Sequence, residues 1–198
     1  GAGIPINEYS GNMIINIGGG TAEIAVVSLG SIVSWESLRV AGDKFDQAIV
    51  DYVKKKHSLI IGPQTAEAAK ISAGSALPMK EKLECQIRGR DVVAGMPRDL
   101  ILTSNEIAEA LHPLLIDIAF AAQNVFNKTP PELVADVMGK GILVSGGGAK
   151  LRNLDEFFQR VLRVPTYPAE EPLFCVARGT GLILNHIDIY KRTLLSKR

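Results

Sequence analysis

The sequence predicts an α/β fold in which a mixed β-sheet is flanked by helices and interrupted by a small α/β insertion. Within residues 1–40, three β-rich runs alternate with glycine-containing turns, a pattern typical of an antiparallel meander. The later part of the chain alternates helical and strand-like segments, which indicates helices packed on a sheet. With 46% apolar and 22% charged residues, the 198-residue chain has the composition of a globular protein.

Charge and cysteine content exclude several kinds of function. The chain has 22 Lys and Arg against 21 Asp and Glu, and this net charge of +1 gives no electrostatic basis for binding nucleic acid. Cys85 and Cys175 are too few and too far apart for a disulfide framework, which favours a reducing, cytosolic compartment. None of the three histidines has a cysteine or carboxylate at metal-ligand spacing.

We expect neither a membrane-spanning helix nor a signal peptide in this sequence. No apolar run reaches the ~18 residues that a membrane-spanning helix needs. Residues 1–7 lack the basic start and apolar core of a signal peptide. Because the first residue is Gly1 and not Met, we expect the chain to be a piece of a longer protein.

Short periodicities predict the elements of the first part of the chain. Residues 13–17, 22–28 and 32–40 are apolar or β-rich runs between turns, and we expect each to be a strand. Apolar residues recur at helical spacing after Asp43, which predicts a helix with Asp43 as its N-cap. A second helix, rich in Ala, Glu and Lys, is predicted over residues 65–76.

The remaining elements form a hairpin followed by alternating helices and strands. Alternating apolar and polar residues predict the hairpin over residues 83–102. Apolar residues at helical spacing predict a long amphipathic helix over residues 106–127, which Pro113 bends or divides. The predicted elements after it are a helix over 131–137, a strand over 141–144, a helix over 154–162, a strand over 164–167 and a helix over 175–189.

The first candidate site is a glycine-rich segment directly after the first predicted strand, residues 16–21, called here the first glycine loop. Gly18, Gly19 and Gly20 have no Cβ, so their backbone N–H groups could approach an anion closely. Thr21 adds a hydroxyl that could bond a terminal phosphate or a water. The alternative is an ordinary hairpin turn, since the segment lacks the lysine and the helix of a P-loop.

The second candidate is the segment 145–149, the second glycine loop, which follows another apolar strand. Gly146, Gly147 and Gly148 could lie beneath a nucleoside and its first phosphate, close to a helix N-terminus that favours negative charge. A plain strand-to-helix turn is the alternative. Two such loops on one sheet could hold a phosphate chain from two sides.

Charged residues around the first two predicted helices form a third constellation. It comprises Asp43, Asp46, Glu67 and Lys70. Without further context an exposed polar face explains these residues better than a site, because Glu67 and Lys70 have the spacing of a common surface pair.

Five segments of the chain together resemble the MreB family of bacterial actins. They are Asn16-Ile-Gly-Gly-Gly-Thr-Ala-Glu-Ile-Ala, Arg39-Val-Ala-Gly-Asp-Lys-Phe-Asp, Thr129-Pro-Pro-Glu-Leu, Val144-Ser-Gly-Gly-Gly-Ala and Glu171-Pro-Leu-Phe-Cys-Val-Ala-Arg-Gly-Thr-Gly. The resemblance covers essentially the whole chain and corresponds to the C-terminal half of such a protein. It implies a ribonuclease-H-like actin ATPase core, with residues 1–38 and 103–198 as subdomain IIA and residues 39–102 as the smaller subdomain IIB.

The same resemblance implies a biochemistry. Proteins of this family bind ATP with Mg²⁺ between two halves, assemble with copies of themselves into membrane-associated filaments and control cell shape. The expected location is the cytoplasm at the inner face of the cell membrane. A RodZ-like transmembrane adaptor is an implied partner of the larger subdomain, whereas attachment to the membrane itself would come from the other half.

Residue by residue, the resemblance turns the candidates into a nucleotide site. Gly18, Gly19, Gly20 and Thr21 match the family's second phosphate loop, with a weak catalytic role for Thr21 in positioning water or the γ-phosphate. The second glycine loop matches the loop under the nucleoside through Gly146, Gly147 and Gly148. Ribose and adenine contacts are implied for Asp43, Glu67 and Lys70.

Departures from the family pattern limit the expected activity. Asn16 stands where the family's phosphate loop usually begins with Asp, so it could reach a metal only through water, and Mg²⁺ binding and hydrolysis should weaken. Ser72 stands where the family often has Glu, which weakens one nucleoside contact. The family's first phosphate loop and its water-polarising Glu would precede Gly1, so we expect the chain by itself to bind nucleotide weakly and not to hydrolyse it.

Three functions follow from these expectations. The first is an ATP-driven filament protein. The second, motivated by Asn16, is a filament scaffold or copolymer partner with impaired hydrolysis. The third is the nucleotide-binding half of an ATP-dependent chaperone or sugar kinase with the same ancestral fold, although the compact insertion offers no substrate-binding domain.

Overall fold

A computed structural model of the protein describes residues 1–187. The strands are β1 Asn12–Ile17, β2 Ala22–Ser28, β3 Ser31–Leu38, β4 Leu59–Ile60, β5 Glu84–Asp91, β6 Pro97–Thr103, β7 Ile142–Ser145 and β8 Thr166–Pro168. The α-helices are α1 Gly42–His57, α2 Pro63–Ala73, α3 Ser104–Asn127, α4 Pro131–Lys140, α5 Leu154–Leu162 and α6 Cys175–Asn185. Short 3₁₀ turns cover Gly147–Lys150 and Pro172–Phe174. The predicted end of the last helix, at residue 189, lies outside the described residues.

The larger sheet is mixed, as the sequence predicts. Its strand order is β3-β2-β1-β7-β8. The first three strands form the antiparallel meander, whereas β7 lies parallel to β1 and β8 parallel to β7. The inward faces of the central strands are mostly apolar, and alternate residues such as Ile15, Ile17 and Ile24 are fully buried.

A smaller antiparallel sheet, in the order β4-β5-β6, is built from the segment between β3 and α3. Helices α1 and α2 come from the same segment, and α1 packs on both α2 and α3. Buried residues of this segment, Phe45 and Leu102 among them, join those of the larger sheet in one apolar cluster. Because the apolar core is continuous, it shows no boundary at residues 39 and 102. The subdomain limits therefore stay a prediction.

Helix α3 is a single helix, and the predicted division at Pro113 is wrong. A capping box starts it: Glu106 N–H donates to the Thr103 hydroxyl, and Thr103 N–H donates to the Glu106 carboxylate at 3.0 Å. Pro113 lies on the exposed side, and the buried row that includes Leu111, Leu115 and Ile118 passes through this region without a break. Packing on the sheet outweighs the hydrogen bond that the proline removes.

The second glycine loop packs directly on the end of β1. Gly146 has φ +82°, and a Cβ on it would lie 2.3 Å from the carbonyl oxygen of Ile17. A Cβ on Gly148 would lie 2.4 Å from Cγ2 of Ile17. Only glycine fits at these two positions, so the approach of this loop to β1 depends on their missing side chains.

Gly146→Ala should therefore destabilise the fold by about 2 kcal/mol or more, since alanine is strained at positive φ and its methyl group meets backbone. Urea denaturation measures the change. Gly139→Ala is the matched control, because a Cβ there meets nothing within 4 Å and Gly139 lies inside α4. It should gain about 0.5–1 kcal/mol. Equal stabilities for Gly146→Ala and the wild type would contradict the packing described here.

The capping carboxylate gives the fold a pH dependence of known sign. Burial opposes ionisation of Glu106, but hydrogen bonds from Thr103 and His57 outweigh it and hold the pKa of this carboxyl below its ordinary value. Its contribution is thus fully present above the unfolded pKa of about 4.3 and is lost as pH falls through the lower folded pKa.

Glu106→Gln should consequently cost about 1 kcal/mol at neutral pH and progressively less as pH falls below about 4. Chemical denaturation of variant and wild type across this pH range measures the difference. Glu81→Gln, on an exposed side chain, is the control and should show no such trend. A loss of unfolding free energy in Glu106→Gln that grows toward low pH would contradict a lowered pKa of Glu106.

Candidate functional site

The two glycine loops emerge side by side at one edge of the larger sheet. Strands β1 and β7 are parallel neighbours, with Asn16 opposite Ser145 in the register. Each loop follows directly from the carboxyl end of its strand, and ligands of open α/β sheets bind at that edge. The structure thus brings the two predicted phosphate contacts together.

The first glycine loop is a tight hairpin between β1 and β2, closed by Gly18 N–H donating to the Thr21 carbonyl at 2.9 Å. The segment therefore has the geometry of an ordinary hairpin turn, which was the alternative to an anion site. The N–H groups of Gly19 and Gly20 have no hydrogen-bond partner within residues 1–187. A Cβ on Gly20 would meet nothing within 4 Å, so the space in front of this backbone is open.

The second glycine loop continues into the 3₁₀ turn Gly147–Lys150 before α5 begins. Gly146 N–H donates to the carbonyl of Pro172 at 2.9 Å, which anchors the loop to the chain that follows β8. Gly147 and Gly148 open the 3₁₀ turn, where the first N–H groups of a helical segment have no intrahelical acceptor. This loop, too, offers unused backbone donors.

A hydrogen-bonded network of polar side chains links the two loops. The Asn16 amide donates from Nδ2 to Glu23 Oε2 at 2.8 Å, and its Oδ1 accepts from the Ser145 hydroxyl at 3.0 Å. The Thr21 hydroxyl donates to the other carboxylate oxygen, Oε1 of Glu23. Thr21 is thus on the site side of the hairpin, but its predicted hydroxyl contact is taken by Glu23.

Sequence reasoning missed Glu23 and Ser145. Glu23 could have been predicted from the hairpin alone. A hairpin that turns at the first glycine loop puts Asn16 directly opposite Glu23, and the β1–β2 register shows this pair. Ser145 becomes a partner only through the β1–β7 pairing, which joins residues 129 positions apart.

Helix α1 starts against the first glycine loop, and Asp43 is not its N-cap. The N-cap is Ala41, which has no capping side chain. Gly42 and Asp43 instead donate their N–H groups to the carbonyls of Gly18 and Gly19, at 3.1 and 2.8 Å. These backbone acceptors start the helix two residues earlier than the capping rule predicts, and they hold the exposed Asp43 side chain beside Gly19.

Lys70 on α2 joins the same arrangement. Its ammonium group lies 2.7 Å from Asp46 Oδ1 and 3.3 Å from the Gly42 carbonyl, so it ties α2 to the beginning of α1. Asp46 is buried, and burial raises the pKa of its carboxyl in spite of the Lys70 charge. Glu67, one turn earlier on α2, is exposed and takes part in no ion pair within the described part of the chain.

The end of α2 is fastened to the chain that follows the second glycine loop. Ala76 N–H donates to the Arg152 carbonyl at 2.8 Å, and the Arg152 guanidinium donates to the Gly74 carbonyl at 3.2 Å. Asn153 Nδ2 donates to the buried Ser75 hydroxyl at 2.9 Å. Nothing in the sequence pattern pointed to these contacts. Ser72 faces its own helix and donates to the Ala69 carbonyl.

The polar groups at this edge do not fit a protein-held Mg²⁺. Mg²⁺ is usually bound through one or two carboxylates together with phosphates and waters. Here the one carboxylate of the network, Glu23, is engaged by Asn16 and Thr21, and Asn16 is neutral and engaged on both sides. Across residues 1–187 no group of three or more His, Cys, Asp or Glu side chains could hold a metal ion.

The helices described between residues 1 and 187 include none that is both long and apolar enough to cross a membrane.

Comparison with known proteins identifies the family. The family model described as MreB/Mbl protein matches residues 1–192. Over 196 residues the chain is 45% identical to the cell shape-determining protein Mbl of Bacillus subtilis, covering 99% of this chain and 59% of that protein. Against the cell shape-determining protein MreB of Escherichia coli it is 45% identical over 197 residues, covering 100% of this chain and 57% of that protein.

A solved structure agrees with this result. MreB5 of Spiroplasma citri bound to ADP superimposes with a TM-score of 0.91 at 38% identity, covering 99% of this chain and 59% of that one. The chain thus spans a little under three fifths of the length of these relatives. The match takes in both sheets and both glycine loops, and the chain belongs to the MreB/Mbl family of actin-like cell-shape proteins.

Proposed function

We propose that this chain forms one wall of an adenine-nucleotide site in a cytoskeletal protein that assembles into filaments. The observation that carries the proposal is the pairing of β1 with β7, which sets two glycine loops with unused N–H groups beside each other. The similarity to a structure bound to ADP supports this choice of ligand. Membership of the family argues against the alternative of a chaperone or sugar kinase.

Each part of the site has a separate task in this proposal. The N–H groups of Gly19 and Gly20 would donate to phosphate oxygens, and at Gly20 a Cβ would meet nothing within 4 Å. Gly147 and Gly148 would receive the nucleoside end with the first donors of their 3₁₀ turn. Asp43, Glu67 and Lys70 lie on the α1 and α2 side, where they would contact ribose and adenine.

Lys70 can serve the nucleotide without a large movement. It is already held near the site by Asp46 and the Gly42 carbonyl, both on α1. An ammonium group fixed in this way keeps its remaining donor for a ligand and pays little rotamer entropy on binding. Mg²⁺ that arrives with the nucleotide would neutralise phosphate charge, but the residues of this wall do not fit it as ligands.

The cellular role belongs to the same proposal. Filaments of this protein with copies of itself, at the cytoplasmic face of the cell membrane, would control cell shape, in line with the cell shape-determining relatives. A RodZ-like adaptor would be the membrane partner. Filament assembly predicts that the intact protein pellets at raised concentration in the presence of ATP.

Gly20→Ala tests the nucleotide site. Its methyl group would occupy the space assigned to a phosphate, and we expect ADP affinity to fall about tenfold or more. Because that space is empty and Gly20 has no positive φ, the free energy of unfolding should not fall. Titration followed by NMR or by calorimetry measures ADP binding.

Gly139→Ala is again the matched control, since its methyl group also enters open space but lies on α4, outside the site. ADP binding by this variant should equal that of the wild type. Equal ADP affinity for the wild type and Gly20→Ala, or no binding by the wild type at saturating ADP, would refute the proposed site.

The Asn16 network favours a second candidate, a filament scaffold or copolymer partner with impaired hydrolysis. In this candidate the amide at position 16 holds Glu23 and Thr21 in a fixed arrangement. Asn16→Asp in the intact protein should then raise phosphate release from ATP about tenfold or more. A phosphate assay on clean protein measures this, and an unchanged rate would count against the scaffold.

A further inference from the structure

We propose that Asn16 frees the nucleotide site of this chain from a divalent-cation requirement, an inference that rests on the proposed function. Its amide completes a hydrogen-bond network that holds the Glu23 carboxylate beside the first glycine loop without any cation. The wall should therefore bind ADP about equally well with and without Mg²⁺.

The first step is the bonding of the Asn16 amide. Nδ2 donates to Glu23 Oε2 at 2.8 Å, and Oδ1 accepts from Ser145 Oγ at 3.0 Å. The two bonds define the orientation of the amide, because a carboxylate only accepts and the Ser145 hydroxyl supplies the donor. Oδ1 has a second lone pair, but as a neutral amide oxygen it adds no negative charge that would hold a cation there.

The second step concerns the charge of Glu23. Each of its oxygens accepts a hydrogen bond from a neutral group, one from Asn16 and the other from Thr21. Among the described residues no Lys, Arg or His forms an ion pair with Glu23, and Lys70 is engaged by Asp46. Neutral donors thus fix the position of the carboxylate by one hydrogen bond on each oxygen, with no side-chain cation of the described residues taking part.

The third step follows from the strand register. Asn16 and Glu23 are directly opposite in the β1–β2 pair, so an acid at position 16 would face a second carboxylate at hydrogen-bond distance. Two such carboxylates cannot both ionise at low cost unless a cation or a proton lies between them. The side chain at position 16 consequently decides whether this edge of the sheet needs a cation.

The direct test is the ADP affinity of the protein in EDTA and in excess Mg²⁺, measured by calorimetry or NMR titration. For the wild type we expect the two dissociation constants to agree within about threefold. For Asn16→Asp we expect binding about tenfold or more looser in EDTA than in Mg²⁺, because the added charge repels both Glu23 and phosphate. A wild type that loses tenfold or more in EDTA would overturn the inference.

A second measurement needs no nucleotide. The thermal midpoint of Asn16→Asp should lie below that of the wild type in EDTA and rise when Mg²⁺ is added, whereas the wild-type midpoint should not respond. The double variant Asn16→Asp/Glu23→Gln should recover stability in EDTA and lose the Mg²⁺ response, because one carboxylate is gone. An Asn16→Asp midpoint that Mg²⁺ leaves unchanged would contradict the inference.

Asn12→Asp is the matched control for the added charge. Asn12 lies on the same strand but at its other end, where its amide donates to the Ser10 carbonyl at 3.0 Å and not to a carboxylate. Its loss of stability should be the same with and without Mg²⁺. Failure of ADP to bind in either buffer would refute the proposed function, while the Mg²⁺ response of Asn16→Asp would still decide the role of Asn16.

Discussion

The parallel pairing of β1 with β7 is the constraint on which the candidate site depends. It joins two segments that are far apart in the sequence and sets Asn16 opposite Ser145, so that both glycine loops leave the sheet at one edge. The contact is close because Gly146 and Gly148 pack on Ile17 where a side chain would collide with it. A shift of this register by one residue would turn the apolar face of β1 outward and separate the loops, and the buried isoleucines resist such a shift.

The smaller sheet is connected to this edge by polar contacts as well as by its apolar core. Carbonyl groups of the first glycine loop start α1, and Lys70 then joins α1 to α2 through Asp46 and Gly42. Because Asp46 is buried, loss of its ammonium partner would leave an uncompensated charge, which is strongly unfavourable. The geometry of the first glycine loop is thus supported by residues of α1 and α2 that lie behind it.

Much of the fold could be predicted from local sequence, because the order of strands and helices follows from apolar periodicity and glycine turns. The predicted strands and helices within the described residues correspond to observed ones, and their limits mostly differ by a few residues. The errors have tertiary causes. Asp43 fails as an N-cap because carbonyl groups of another segment start α1, and Pro113 fails to divide α3 because packing continues through it.

The glycine loops were predictable as possible anion sites, but their mutual position was not, since no local pattern specifies which strand pairs with β1. The same holds for the network around Asn16. A hairpin register could have suggested Glu23, whereas Ser145 required the long-range pairing. The roles of Asp43, Glu67 and Lys70 toward a nucleotide stay predictions, and the structure adds that Lys70 already has partners.

The contacts of Ser75 and Ala76 with Arg152 and Asn153 have a mechanical consequence. These hydrogen bonds hold the C-terminal end of α2 to the chain that follows the second glycine loop. The N-terminal end of α1 is bonded to the first glycine loop. Helix α1 is therefore bonded to one glycine loop and helix α2 to the chain after the other. A movement of these two helices together, away from the larger sheet, would have to break both sets of hydrogen bonds at once.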